Sequence, residues 1–332
     1  MSDSDHSPRA FWSGRSVLIT GASGFIGANL TRQLLAYQAD VHIVLRQADA
    51  PWRLDDCVDR LTVHVADVSN CDQLFRTVNA CRPQTIFHLA TERGIADGQR
   101  MRYVQTTVLG AANLVEVLRR QSSCRLIVAG SSLEYGPCDE PISESNPLTP
   151  HTLHGAVKAA ASVLFSQAAQ QDNLEISQLR LFHVYGPWES GHRFLPTVIR
   201  AGLNDQSVSL AAGQSRRDWI CVLDVVGAFL LAAQPQVPIG TFNIGSGLEH
   251  SNDEVLAVVE NLLGRKIPRS SKLLTARLTD QAHRFANISA AKAALGWSPQ
   301  YDLVTGIKCT LEWVRNFPGT RTNEQGVVPV VQ

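Results

Sequence analysis

The chain has 332 residues, of which 44% are hydrophobic, and its 30 basic and 30 acidic side chains cancel. This length suits one large α/β domain or two modest ones, and the apolar fraction excludes global disorder. The balanced charge gives no general attraction to nucleic acid or to an anionic membrane. No apolar run is long enough to span a bilayer. We therefore predict a protein that binds neither nucleic acid nor membrane.

The cellular compartment is predicted from the N-terminus and the cysteines. Residues 1–10 are polar and lack the apolar core of a secretory signal. The seven cysteines form no C-x-x-C pair, so free thiols fit better than a disulfide framework or a zinc site. We expect a cytoplasmic protein without a bound metal.

Apolar, β-branched runs alternate with helical patterns from residue 16 onward. The runs predicted as strands are residues 16–20, 41–45, 61–68, 85–90, 125–131 and 176–184. Continuous apolar strands separated by helices are typical of a parallel sheet that is covered on both faces. The sequence therefore predicts an α/β fold with a doubly wound, Rossmann-type parallel sheet.

The regular alternation ends after Tyr185, where shorter elements rich in Gly, Pro and Arg follow. The predicted parts are a flexible tail (1–13), a dinucleotide-binding domain (14–185), a smaller C-terminal α/β substrate-binding lobe (186–316) and a second tail (317–332). The chain is expected to rejoin the sheet at about 223–247. The domain and the lobe are therefore predicted to interleave.

Three glycines lie between the first predicted strand and the first predicted helix. Gly21 permits a sharp turn, Gly24 lets the backbone approach a pyrophosphate, and Gly27 lets helix and strand come close together. The helix N-terminus then offers N–H groups and a partial positive charge to the phosphates. Glycines alone are also found in ordinary tight turns, but in this strand–turn–helix setting the spacing predicts dinucleotide binding.

The end of the second predicted strand bears on the choice of cofactor. An acidic residue there would bind a ribose 2′-hydroxyl, whereas this chain has Arg46, with Arg53 nearby and no carboxylate before Asp49. An arginine suits a 2′-phosphate, so we predict NADP. NAD is the alternative if Arg46 only stacks on the adenine or lies in solvent. Asp67 is placed either to accept a hydrogen bond from the adenine amine or to cap the next helix.

Further motifs follow along the chain. They are TGASGFIG (20–27), FHLA (87–90), GSSLEYG (130–136), RLFHVYGP (180–187), RFLP (193–196), RRDWICVLDV (216–225), FNIGSG (242–247) and AALGWSP (293–299). On these motifs the sequence resembles the extended short-chain dehydrogenase/reductase family over about residues 16–315. The family contains nucleotide-sugar epimerases, dehydratases and ketoreductases, so the resemblance implies a nicotinamide-dependent oxidoreductase or epimerase that acts on a nucleotide sugar.

The resemblance implies roles for particular residues. Ser131 matches the residue that hydrogen-bonds the substrate carbonyl or hydroxyl, and Lys158 matches the lysine that holds the nicotinamide ribose and lowers the pKa of the catalytic acid. Arg217 and Arg277 match arginines that grip the diphosphate or the adjoining ribose. The residues expected at the cofactor are Gly21, Ser23, Gly24, Phe25, Ile26, Gly27, Arg46, Asp67, Val68, Leu89, Ala90 and Lys158. Those expected at the substrate are Thr91, Ser132, His183, Arg193, Arg217 and Arg277.

The family pattern Tyr-x-x-x-Lys is changed here to His154-Gly-Ala-Val-Lys158. Positions i and i+4 share a helix face, so both side chains can point into one site. A histidine beside a cation is expected to be mostly neutral at pH 7, yet it can donate an N–H hydrogen bond or relay a proton from water. We predict that Ser131, His154 and Lys158 are catalytic.

Leu133 stands where the family's dehydratases carry a glutamate, and Glu134 is one position out of register. The GSSLEYG motif looks closest to the ketoreductase branch. With the NADP prediction, it favours an NADP-dependent reductase of a keto group on a nucleotide-activated (deoxy)sugar. The alternatives are a nucleotide-sugar epimerase with bound NAD and a catalytically impaired regulatory protein that binds cofactor or nucleotide sugar. The family's four-helix interface implies a homodimer through helices near 99–120 and 152–171.

Overall fold

A computed structural model gives the architecture and describes residues 8–47, 51–92, 99–121, 123–209, 216–270 and 283–317. The strands of the larger sheet are β1 (Ser16–Thr20), β2 (Asp40–Leu45), β3 (Thr62–Val65), β4 (Thr85–His88), β5 (Arg125–Ser131), β6 (Ile176–Leu181) and β9 (Thr241–Ile244). All seven are parallel and lie in the order β3-β2-β1-β4-β5-β6-β9. This order confirms the predicted Rossmann-type, doubly wound fold.

Helices cover the sheet and build most of the second lobe. The helices are α1 (Pro8–Trp12), α2 (Phe25–Ala36), α3 (Cys71–Cys81), α4 (Arg100–Val104), α5 (Gly110–Leu118), α6 (Leu153–Gln171), α7 (Phe194–Leu203), α8 (Val222–Ala232), α9 (Asn252–Leu263), α10 (Ser289–Leu295) and α11 (Leu303–Asn316). A π-helical turn over Gln105–Leu109 joins α4 to α5. None of the described helices combines the length and the apolarity needed to cross a membrane.

Each face of the larger sheet has its own core, because successive residues of a strand point to opposite faces. Val17 and Ile19 of β1 share one cluster with buried residues of α2 and α8. Leu18, between them, belongs to a second cluster with residues of α3, α5 and α6. Burial on both faces explains why these strands appear in the sequence as continuous apolar runs.

The second lobe has a three-stranded sheet in the order β10-β8-β7. Its strands are β7 (His183–Tyr185), β8 (Arg216–Cys221) and β10 (Glu249–Ser251). β8 is parallel to β7 and antiparallel to β10. Together with α7, α9 and α11 this sheet encloses a separate core that includes Tyr185, Trp219 and Ile307.

The chain passes between the two parts more than once. After β8 it returns to the larger sheet as α8 and β9, where Thr241 pairs with Gln178 of β6. α10 packs against α8 and β9, so it lies with the larger sheet although its position in the sequence falls within the predicted lobe. Ala291 and Leu295 explain this placement, because both are buried in the core that α2 and α8 share.

The predicted single strand over 176–184 is wrong. The chain leaves β6 after Leu181, and His183 pairs with Trp219 of β8 in the other sheet. Both halves of the run are apolar because both sheets are buried, so the pattern gave no sign of the change of sheet.

The predicted flexible tail over 1–13 is also wrong for its second half. Residues 8–12 form α1, and Trp12 is fully buried. The Trp12 ring packs 5.9 Å from the ring of Phe87 of β4, centroid to centroid. One aromatic anchor thus orders a segment whose sequence is otherwise polar. Of the predicted C-terminal tail, residues 318–332 lie outside the described residues.

Candidate active site

A cavity of about 870 Å³ opens at the carboxyl ends of β1, β4 and β5 and extends to the second lobe. Gly21 follows β1, Leu89 follows β4 and Ser131 ends β5, while His183 and Arg217 line the cavity from the second lobe. The strand order reverses between β1 and β4. Ligands of doubly wound sheets bind at this kind of switch point.

The glycine turn meets the requirements of a dinucleotide site. Gly21 has φ of +76°, and a Cβ there would lie 2.5 Å from the carbonyl carbon of Leu89. A Cβ on Gly27 would lie 2.2 Å from the oxygen of Gly21, so only glycine lets α2 approach the turn this closely. Gly24, the N-cap of α2, provides no side-chain hydrogen bond to the first turn. The N–H groups at this helix start thus suit phosphate oxygens.

Arg46 lies at the edge of the cavity but is not an isolated cation. Its guanidinium forms an ion pair with the carboxylate of Glu92, which is also within 3.2 Å of Arg102 and accepts a hydrogen bond from Thr106 at 3.1 Å. The Glu92 side chain is 12% exposed. Glu92 therefore places a negative charge beside the arginine that suggested a 2′-phosphate.

Most of the residues predicted at the cofactor line the cavity. They are Gly21, Ser23, Gly24, Phe25, Ile26, Gly27, Arg46, Leu89 and Lys158. Asp67, Val68 and Ala90 are described but are not among the lining residues. Asp67 accepts hydrogen bonds from the backbone N–H and the hydroxyl of Ser69, at 2.8 and 2.7 Å. Its carboxylate thus stabilises the local turn. The predicted capping of the next helix by Asp67 is wrong, because the N-cap of α3 is Asn70, whose side chain accepts a hydrogen bond from the N–H of Gln73 at 3.0 Å.

Lys158 and His154 lie one turn apart on α6, and both line the cavity. The Lys158 ammonium donates a hydrogen bond to the backbone oxygen of Ala129 at 2.8 Å, and burial lowers the pKa of Lys158 to about 8. Burial, with the nearby charges of Lys158 and Arg193, lowers the pKa of His154 to about 4. The imidazole is therefore neutral at pH 7, in agreement with the sequence analysis.

Tyr103 of α4 is a neighbour of His154 that the sequence analysis did not find. Its hydroxyl is hydrogen-bonded to Nδ1 of His154, and the two rings stack with centroids 5.7 Å apart. Tyr103 is 2% exposed, and burial raises its pKa to about 12. The two residues are 51 positions apart in the chain, and no spacing rule links them.

Ser131 ends β5 with its hydroxyl at the cavity wall. Its Oγ accepts a hydrogen bond from the N–H of Leu133 at 3.2 Å, which orients the side chain. Glu134 is fully buried on another side of this turn, where it accepts from the N–H of Ser131 at 2.7 Å and from Arg180 at 2.8 Å. Glu134 is thus a structural carboxylate, and Leu133 lines the cavity in its place.

The end of the cavity nearest the second lobe is strongly basic. Arg193, Arg217 and Arg284 line it together with His183 and Ser132. Burial, aided by Arg217 and Arg193, holds the pKa of His183 well below its usual value, and burial lowers the pKa of Arg284. Thr91 also lines the cavity. Arg277, the remaining predicted substrate residue, lies outside the described residues.

Further lining residues include Trp52 and Arg284, which the sequence analysis did not name, and Arg53, which it named only as a neighbour of Arg46. Arg53 is 1% exposed, and it donates to the backbone oxygen of Trp188 at 2.8 Å and to the hydroxyl of Ser190 at 2.9 Å. It thereby ties the loop after β2 to the second lobe. These contacts join distant parts of the chain, so no local pattern marks them.

The sequence matches the NAD dependent epimerase/dehydratase family over residues 17–245. The chain belongs to this family. The UDP-glucose 4-epimerase of Mycolicibacterium smegmatis is 29% identical and is aligned over 90% of this chain and 98% of its own. The dTDP-glucose 4,6-dehydratase of Neisseria gonorrhoeae is 26% identical, with 93% of this chain and 98% of its own aligned.

Solved structures of similar proteins have the same fold. The structure of MoeE5 in complex with UDP-glucuronic acid and NAD is 30% identical and superposes with a TM-score of 0.80 over 91% of this chain and 99% of its own. UDP-glucose 4-epimerase from Thermotoga maritima superposes with a TM-score of 0.83 at 23% identity, over 91% and 99% of the two chains. Membership of the epimerase/dehydratase family confirms the predicted resemblance and the predicted class of nicotinamide-dependent enzyme.

Proposed function

We propose that the protein is an NAD-dependent nucleotide-sugar epimerase, which oxidises a sugar hydroxyl to a ketone and reduces it again from the other face. The proposal rests on one observation. Ser131, His154 and Lys158 line the same cavity as the glycine turn and the arginines of the second lobe. This proposal selects the epimerase, which the sequence analysis gave as an alternative to the reductase.

The relatives include both epimerases and dehydratases, so the choice of epimerisation rests also on the residues of this cavity. Two of them are named UDP-glucose 4-epimerase and UDP-glucuronate 4-epimerase, and the solved MoeE5 structure holds UDP-glucuronic acid and NAD. Dehydration needs a carboxylate base at the place where this cavity has Leu133. Glu134 is the glutamate of the GSSLEYG motif that suggested a ketoreductase, and it forms a buried ion pair with Arg180.

The charges near Arg46 support NAD in preference to NADP. Arg46 already has a carboxylate partner in Glu92, and a 2′-phosphate bound by Arg46 would lie near that negative charge. A ribose 2′-hydroxyl carries no charge and can instead donate a hydrogen bond to a carboxylate. Glu92 could therefore accept the hydrogen bond from the ribose 2′-hydroxyl. In other NAD-binding sheets an acidic residue at the end of the second strand accepts this bond.

The chain's own residues provide binding and proton transfer. The glycine turn holds the dinucleotide, and Lys158, still mostly charged at pH 7, offers N–H donors at the middle of the cavity. A bound nicotinamide would supply the hydride transfer to and from the sugar carbon. The N–H of Leu133 engages one lone pair of the Ser131 hydroxyl, which orients the hydroxyl so that its hydrogen can be donated to the substrate oxygen. His154 exchanges the proton with that oxygen.

The basic end of the cavity supports a nucleoside diphosphate as the handle of the substrate. Arg193, Arg217 and Arg284 bring three guanidinium groups to one wall, and such groups bind phosphate oxygens with two parallel hydrogen bonds. Nε of Arg284 is buried and has no hydrogen-bond partner among the described residues. A buried donor of this kind is expected to bond a ligand oxygen.

A homodimer through α4, α5 and α6 is part of the proposal. Large apolar side chains are exposed along these helices and the turn between them, at Met101, Leu109, Val163 and Leu164. Apolar side chains clustered on neighbouring helices favour association with a second copy. Sedimentation is expected to give a dimer for the natural chain and a monomer for Val163→Glu.

The proposed function is tested with purified protein and two nucleotide sugars. The protein is denatured to identify the released nucleotide by mass, and UDP-glucose or UDP-glucuronic acid is incubated with protein and NAD and followed by NMR. We expect released or bindable NAD and formation of the C4 epimer without net accumulation of NADH. Oxidation of NADPH by a nucleotide 4-keto sugar would instead establish the reductase. Binding of NAD without conversion of any sugar would establish the regulatory alternative.

A further inference from the structure

His154 lies between the cavity and a second proton-bearing side chain. His154 lines the cavity, whereas Tyr103 is not among the lining residues. The Tyr103 hydroxyl is hydrogen-bonded to Nδ1 of His154. Because Nδ1 is occupied by the phenol, Nε2 is the ring nitrogen left for a substrate oxygen. The ring stack and the near-complete burial of Tyr103 fix the phenol in this position.

A lone imidazole is poorly suited to hold an extra proton at this place. Lys158 and Arg193 are the cations that act on His154, and burial adds to their effect. An imidazolium here would therefore be an unpaired, partly buried cation beside two others. A partner that moves a proton at Nδ1 while the substrate exchanges one at Nε2 keeps the ring neutral throughout.

We propose that Tyr103 is a positioning residue that works through His154, so that the two side chains together replace the single tyrosine of the family's Tyr-x-x-x-Lys pattern. The inference rests on the proposed redox function. Its geometric basis is the hydrogen bond between the Tyr103 hydroxyl and Nδ1, the stacking of the two rings, and the access of His154 to the cavity.

In each half of the reaction one proton passes between the sugar oxygen and these two residues. In the reduction half, the Nε2–H bond breaks as an O–H bond forms on the sugar alkoxide, and Nδ1 takes the phenol proton of Tyr103. The imidazole ends neutral with its hydrogen on Nδ1, and the negative charge moves from the alkoxide to the phenolate. In the oxidation half each transfer is reversed, so that half starts from the phenolate and the Nδ1–H imidazole, a state that the resting pair reaches by releasing one proton to water. An alkoxide is a stronger base than a phenolate, so the proton moves to the sugar oxygen in the reduction half.

The first test uses the protein without any substrate. With ¹⁵N-labelled histidine, the His154 signals are assigned by their loss in His154→Gln. We expect the Nε2–H tautomer, with Nδ1 as a hydrogen-bonded acceptor, because the Tyr103 hydroxyl donates to Nδ1. Tyr103→Phe keeps the ring and is expected to shift the Nδ1 signal and raise the share of the other tautomer. Predominance of the Nδ1–H tautomer in the natural chain, or an unchanged spectrum in Tyr103→Phe, would overturn the proposal.

Tyr185→Phe is the matched control for this spectrum. Tyr185 is another fully buried tyrosine, and its hydroxyl has no hydrogen-bond partner among the described residues. Removing it is expected to leave the His154 signals unchanged. A shift of equal size in both variants would mean that the spectrum reports general rearrangement and that Tyr103 has no special link to His154.

The second test is a double-mutant cycle on the rate of sugar conversion. Tyr103→Phe is expected to lower kcat at least about tenfold with little change in KM. In the His154→Gln background, where the amide cannot exchange protons between two nitrogens, the same change is expected to alter kcat less than about twofold. Equal losses in both backgrounds would reject the coupling. If no sugar is converted at all, the proposed function fails, while the spectra still decide the contact between Tyr103 and His154.

Discussion

The two ends of the cavity are built in different ways. At the glycine turn the fit depends on backbone that a side chain would displace, since a Cβ on Gly27 would lie 2.2 Å from the oxygen of Gly21. At the opposite end the fit depends on side chains from several elements, with Tyr103 on α4 and His154 and Lys158 on α6. A glycine that packs directly against backbone cannot be replaced by a residue with a side chain. A catalytic side chain, in contrast, can be replaced by two side chains that act together. The replacement that we propose for the family's tyrosine lies at the end that permits such an exchange.

The largest expected effect is at the backbone end. Gly27→Ala forces a methyl group into contact with the turn, so we expect the free energy of unfolding to fall by about 3 kcal/mol or more. We expect NAD affinity to fall at least about 100-fold, because the turn must shift to accommodate the methyl group. Urea unfolding and calorimetric titration with NAD measure the two effects.

Gly227→Ala is the control for this change. Gly227 lies within α8, and a Cβ there meets no atom within 4 Å. Alanine has the higher helix propensity, so stability is expected to rise by up to about 1 kcal/mol with NAD binding unchanged. NAD binding by Gly27→Ala equal to that of the natural chain would show that close approach at the turn is unnecessary.

The next effect is at the side-chain end. His154→Phe removes both ring nitrogens, and we expect the rate of sugar conversion to fall about 100-fold while NAD affinity stays within about threefold. His151→Phe, at an exposed position just before the N-cap of α6, is expected to keep the rate within about twofold. Steady-state kinetics and NAD titration measure both variants. A His154→Phe rate near that of the natural chain would leave water or Ser131 as the source of the proton.

A smaller effect, on stability, comes from the buried charge of Lys158. Its pKa is lowered from 10.5 to about 8 by burial, which corresponds to about 3 kcal/mol against the charged form. Lys158→Met removes this penalty and also the hydrogen bond to Ala129, so we expect a net gain of about 1 to 2 kcal/mol at pH 7.

The pH dependence of this gain follows from the direction of the shift. The penalty of the natural lysine is fully present below pH 8 and declines between pH 8 and 10.5, because the folded state then binds fewer protons than the unfolded state. The advantage of Lys158→Met is therefore expected to be smaller at pH 10 than at pH 7 in urea unfolding. An advantage that grows with pH would show that the ammonium is stabilised by its surroundings.

The smallest expected effect concerns the choice of cofactor. Glu92→Gln removes the carboxylate beside Arg46, so we expect the ratio of NADP to NAD affinity to rise about tenfold. Glu116→Gln is the control, because Glu116 also pairs with an arginine, Arg120, but on the surface of α5 and away from the cavity. Fluorescence titration with both dinucleotides measures the ratio. An unchanged ratio in Glu92→Gln would remove the argument for NAD from this ion pair.

Strand–helix alternation was enough to predict the doubly wound sheet, and the glycine spacing predicted a turn that lines the cavity. The i, i+4 spacing of His154 and Lys158 likewise predicted that both side chains share one site, and both line the cavity. Asp67 was predicted as a possible cap of the next helix, but Asn70 takes that position and Asp67 contacts Ser69 instead. The run over 176–184 could not show where the chain changes sheets, because it continues without a turn signal from one sheet into the other.

The sequence by itself determined what depends on near neighbours: the buried strands, the turn that only glycine fits, and the helix face shared by residues four apart. The tertiary structure alone decided which distant side chains meet. Tyr103 and His154 are 51 positions apart, and Arg46 and Glu92 are 46 apart. The physical reason is that local backbone geometry follows from spacing along the chain, whereas these contacts depend on how the ends of several strands and helices pack together. Both the proposed replacement for the family's tyrosine and the carboxylate proposed to favour NAD lie in such contacts.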